Sequence, residues 1–83
     1  MTREEVKKVL VDVYGKSNLE ELKDNTSRII IKTEVLTRAF YFESECVVFM
    51  SYIKTENAIM SNLITATFHY SDIKRIDRTH KGV

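Results

Sequence analysis

The sequence predicts a single α+β domain, an N-terminal amphipathic helix packed on a four-stranded antiparallel sheet, and three observations predict it. Apolar residues recur at helical spacing from Val6 to Tyr14. From Arg28 onward, β-branched and aromatic residues come in short runs. Those runs are joined by polar connections of hairpin length, whereas parallel crossovers need about a dozen residues or more. Eighty-three residues suffice for one domain over 1–83 and are too few for two. A chain of this size buries only roughly 60% of the surface its unfolded form exposes, so every element must share one core.

The helix is expected over 3–14. Thr2 followed by Glu5 has the form of a capping box, in which hydroxyl and carboxylate each satisfy an otherwise unpaired backbone N–H. Val6, Val9, Leu10, Val13 and Tyr14 then form one apolar stripe, with Lys7, Lys8, Val11 and Asp12 on the other side. Gly15 is placed to end the helix in a left-handed conformation. Ser17 and Glu20 repeat the capping spacing, and Leu19 with Leu22 supports a candidate second, short helix over 18–23. The polar run Lys23-Asp24-Asn25-Thr26-Ser27 reads as the loop into the sheet.

Strands are expected at about 28–35, 38–43, 46–54 and 63–70, in a meander, with Glu43-Ser44-Glu45 and Thr55-Glu56-Asn57 as connections. Three of these strands are apolar at both parities, as in Ile29-Ile30-Ile31, Phe40-Tyr41-Phe42 and Val47-Val48-Phe49-Met50. One helix covers one sheet face, and a face open to water would show cleaner alternation. The sequence therefore predicts cover for the second face by another copy of the chain, by a partner protein, or by the C-terminal segment 71–83. A core this small also favours homo-oligomerisation, as a dimer or larger assembly.

Thirteen basic against twelve acidic side chains leave a net charge of +1. That balance speaks against a strongly acidic nucleic-acid mimic and against a protein that grips nucleic acid mainly through phosphates. The uncharged stretch from Cys46 to Ile53 is far shorter than the ~20 residues a membrane helix needs. The chain opens on charged Thr2-Arg3-Glu4-Glu5 and not on a signal peptide, so a cytoplasmic location without membrane contact is expected. A lone cysteine, Cys46, forms no internal disulfide.

The residues able to carry chemistry are few. Histidine and cysteine amount to His69, His80 and Cys46, too few for a closed Cys/His zinc site. His69, Ser71 and Asp72 are neighbours in sequence, but strand residues alternate between faces and adjacency does not assemble a triad. Glycine occurs only at 15 and 82, which leaves no material for a phosphate-binding loop. No catalytic residue, metal ligand or cofactor site is expected, and the protein reads as a non-enzyme.

What remains is action through a surface. The expectation is a small interaction protein that binds a macromolecular partner and modulates or inhibits it. Small cofactor-free chains of this composition are frequent among phage and mobile-element accessory proteins, anti-defence inhibitors included. Tyr41, Tyr52 and Tyr70 are the expected contact residues, because tyrosine joins a large contact area to a polar tip. The alternative is a nucleic-acid-binding regulator using the basic segment with Lys74, Arg75, Arg78 and Lys81, beside strand aromatics that could stack on bases.

Overall fold

The computed structural model describes residues 1–56 and 60–77. Helix α1 (Arg3–Tyr14) is followed by five strands, β1 (Leu19–Glu21), β2 (Ser27–Lys32), β3 (Leu36–Phe42), β4 (Cys46–Lys54) and β5 (Met60–His69). They form one antiparallel sheet in the order β1-β2-β3-β4-β5. The α+β class and the meander agree with the sequence; the strand count is five, not four.

The helix begins as its capping box dictates. The Glu5 amide donates to Thr2 Oγ1 at 3.2 Å, and the Thr2 amide donates to Glu5 Oε1 at 3.0 Å. These bonds favour the ionised carboxylate and hold the Glu5 carboxyl below its ordinary value. Gly15 ends the helix with φ 88° and ψ 151°, an extended, positive-φ conformation that side chains essentially exclude, rather than the left-handed helical one expected. Val6, Val9 and Leu10 are buried, and Val11, expected on the outward side, also packs against the core.

The fifth strand is a correction. Leu19–Glu21 was expected within a short helix over 18–23, yet it pairs with β2, Leu19 opposite Ile29 and Glu20 opposite Arg28. Two contacts outweigh the local capping signal: Leu19 packs on the core, and Glu20 Oε2 accepts from the Arg28 guanidinium at 2.9 Å. The turn into β2 uses Asp24 and Asn25 at φ 64° and 61°, residue types that tolerate the left-handed region.

Other strand boundaries shift for local reasons. β2 stops at Lys32 and β3 starts at Leu36, because Thr33 closes a tight turn: its amide donates to the Leu36 carbonyl at 2.7 Å, and its Oγ1 accepts from the Leu36 amide at 3.0 Å. β5 starts at Met60, earlier than expected, because a bulge carries it past Leu63. Ser51 pairs with Ile64 and Tyr52 with Asn62, leaving Leu63 as the extra residue. The Asn62 amide fills the gap in the ladder, donating to the Ile64 carbonyl at 3.2 Å while its oxygen accepts from Thr65 Oγ1 at 3.1 Å.

The register assigns each paired strand residue to a face. On the inner face, beneath α1, Ile29, Phe40, Phe42, Val47 and Phe49 meet Val6, Leu10 and Tyr14. Phe42, Ile29 and Val6 are fully buried, each side chain stabilising the fold by about 1.5–3 kcal/mol. Arg3 fastens the start of α1 to the sheet, donating to the Asn25 carbonyl at 3.0 Å and to the buried Ser27 hydroxyl at 3.4 Å. After β5 a short turn, Tyr70–Asp72, sends the chain back over this same face, where Ile73 and Ile76 pack on the core. The Met1 nitrogen ties the start of the chain to the turn after β5 by donating to the carbonyls of Tyr70 at 3.0 Å and Ile73 at 2.6 Å. The described part of the C-terminal segment thus thickens the inner layer and does not cover the outer face.

Candidate interaction surfaces

The outer face is built by the residues that alternate with the core. β2 contributes Arg28, Ile30 and Lys32; β3 contributes Thr37, Ala39 and Tyr41; β4 contributes Cys46, Val48, Met50, Tyr52 and Lys54. Its centre is apolar. Ala39 is buried, while Ile30, Val48 and Met50 are half-buried with no described segment above them. This is where the second parity of Ile29-Ile30-Ile31 and Val47-Val48-Phe49-Met50 goes: Ile29 and Val47 enter the core, Ile30 and Val48 face outward.

Two of the three expected contact tyrosines stand on this face. The Tyr41 ring lies under the Arg28 guanidinium, 6.0 Å from its centroid. The bond that Arg28 donates to the Glu20 carboxylate holds it in that position and raises the guanidinium above its ordinary value. Tyr52, toward the opposite end, directs its hydroxyl to Met50 Sδ at 2.9 Å. Lys32 and Lys54 are exposed at the Tyr52 end.

Tyr70, the third, is corrected. It is only 6% exposed and belongs to the core cluster. Its hydroxyl donates to the Glu43 carbonyl at 2.8 Å across the β3–β4 turn, and burial raises its phenol above the ordinary value. Residue type alone could not separate Tyr70 from Tyr41 and Tyr52; the turn that follows His69 does.

The basic segment is divided. Lys74 and Arg75 are exposed, while Arg78 and Lys81 lie outside the described residues. Lys74 and Arg75 line a groove of about 470 Å³ on the inner side, together with Val6, Leu10, Phe68 and Ile73. Of Tyr41, Tyr52, Phe68 and Tyr70, the strand aromatics expected to form a stacking platform beside them, Phe68 lines the groove, as does Phe40; Tyr41 and Tyr52 are on the opposite face and Tyr70 is buried.

Among residue types that carry chemistry, the sheet places Cys46 directly opposite His69 on the outer face, a proximity that sequence spacing did not show. Ser71 and Asp72 belong to the turn beyond the strand. Among the described residues there is no group of three or more His, Cys, Asp or Glu suited to holding a metal ion, and no helix long and apolar enough to cross a membrane.

Comparison of the chain with protein-family models, with curated proteins and with solved structures gives no match.

Proposed function

We propose that this protein is a small non-enzymatic interaction module that docks a protein partner on its outer sheet face and modulates or inhibits that partner. The observation that supports the reading most is the outer face itself: an apolar centre of Ile30, Val48 and Met50, flanked by Tyr41 and Tyr52, with no described segment over it. Interfaces are anchored by such central apolar and tyrosine side chains, surrounded by a polar rim. Here Lys32 and Lys54 are exposed at one end of the rim, with Glu34 and Glu56 exposed in the connections just beyond them. The partner chemistry that fits is a protein surface with an apolar patch and a polar border. An accessory or anti-defence role belongs to this reading as one setting in which a small inhibitor acts.

Nucleic-acid binding through Lys74 and Arg75 is the weaker reading. Bases stack on exposed aromatics beside a phosphate-binding edge, and the fold separates Tyr41 and Tyr52 from those cations.

A tagged pull-down from host lysate, with and without nuclease, separates the two. The expected result is a specific protein retained after nuclease treatment by the wild type and by Lys74→Gln/Arg75→Gln, and lost by Tyr41→Ala/Tyr52→Ala of unchanged circular dichroism. Recovery that disappears with nuclease, or with the Lys74 and Arg75 substitutions, would overturn the reading in favour of nucleic acid.

A further inference from the structure

The two edges of the sheet, neither of them paired to a further strand among the described residues, are unlike. β1 is three residues long and two of them are Glu20 and Glu21, a short and charged edge of the kind that resists pairing with another chain. β5 is ten residues long, Met60-Ser61-Asn62-Leu63-Ile64-Thr65-Ala66-Thr67-Phe68-His69, with no Lys, Arg, Asp, Glu or Pro to blunt it. Its apolar side chains are open as well: Leu63 is 55%, Ile64 53% and Phe68 50% exposed.

From this contrast we infer that β5 is the interface between two copies of the chain, paired antiparallel about a two-fold axis at Ala66 so that two five-stranded sheets become one continuous sheet. The occupant is a second copy because the strand is self-complementary. In an antiparallel pair, directly opposed residues share a face, and Ile64-Thr65-Ala66-Thr67-Phe68 reads apolar, hydroxyl, small, hydroxyl, apolar from either end. An axis at Ala66 sets Ile64 against Phe68 of the partner subunit on the inner face, and Thr65 against Thr67 of the partner subunit on the outer face. Each pairing occurs twice, as an isologous contact requires.

The register also keeps its pairs clear of the bulge. Pairing with β4 runs without a shift from Ile64 to His69, and the pairs an axis at Ala66 makes from Ile64 to Phe68 all fall inside that stretch. An axis at Thr65 would set Phe68 against Asn62 across the bulge, an inner-face residue against an outer-face one. In the Ala66 register the half-exposed Ile64 and Phe68 gain apolar neighbours, and the outer faces of the two copies join into one wider surface. The inference does not rest on the outer face binding a partner, since it concerns an edge at right angles to that face.

Sedimentation of the purified chain, with disulfide trapping in a Cys46→Ser background, tests it. Opposed strand residues lie about 4.5–5.5 Å apart between Cα atoms, within the roughly 4.4–6.8 Å that a disulfide spans. The expected mass is twice the 9.7 kDa of one chain. Ala66→Cys should cross-link to itself on oxidation and Met50→Cys on the outer face should not. Thr65→Lys/Thr67→Lys, which sets lysine against lysine at both exposed pairs, should sediment as a folded monomer. If that variant does not fold, the cross-linking comparison decides alone. A wild-type chain that sediments at 9.7 kDa, a dimer that survives the lysines, or trapping through Met50→Cys and not Ala66→Cys would each overturn the inference.

Discussion

Ile29 and Ile30 are neighbours in the chain and identical in chemistry, yet one is completely buried beneath α1 and the other stands half-buried on the face that nothing described covers. The same split runs through Val47 and Val48 and through Phe42 and Tyr41. The sheet carries two apolar faces, and among the described residues only one of them is covered by the chain's own packing. A side chain on the inner face contributes stability in the isolated molecule; the same side chain on the outer face contributes through whatever it meets.

Truncation tests that division most strongly. Ile29→Ala leaves a cavity at a fully buried site and should cost about 2–5 kcal/mol, read as a lowered denaturant midpoint. Ile30→Ala should cost less than about 1.5 kcal/mol, because its side chain is already partly in water. Equal losses at the two positions would mean that the outer face is also needed for folding.

Tyr70→Phe sharpens the distinction among the tyrosines. Loss of the bond to the Glu43 carbonyl should cost about 1 kcal/mol, with no loss of partner capture. Because burial raises its phenol above the unfolded value of ~10, its pH-linked contribution is complete below that value and is lost as pH rises through the higher folded one. Wild-type stability should therefore decline on the alkaline side, and the Tyr70→Phe variant should lack this part of the decline in a pH series of urea melts.

An effect of similar size concerns the layer above the inner face. Thr2→Ala removes one half of the capping box and should cost about 1 kcal/mol, visible in thermal melts and without effect on outer-face contacts. The Glu5 carboxyl is lowered by the same box, so its contribution is present above the ordinary carboxylate value and is lost as pH falls through the lower folded one. The variant should show a shallower acid limb than the wild type.

Much of the fold was legible because local and tertiary preferences agree. Capping box and apolar stripe both specify α1, and β4 matched its expected span, Cys46–Lys54, because polar residues bound an apolar run at both ends. β1 was hidden because three residues are too few for any periodicity, and its strand state depends on Leu19 and Glu20 finding Ile29 and Arg28. The candidate surface was half legible. Apolar residues at both parities announced a second apolar face, but which tyrosines stand on it depends on where β5 ends. His69 closes the strand and Tyr70 enters the turn, which carries the tyrosine into the core.

The most direct test of the central claim, that the outer face is the working surface, is hydroxyl-radical footprinting of the chain alone and in complex with the protein it captures. Met50 and Tyr52 should lose most of their labelling on binding, while Lys74, Arg75 and their neighbour Ile73 keep theirs. Labelling of Met50 and Tyr52 that is unchanged in the complex, with protection moved to the segment around Ile73, would contradict the account.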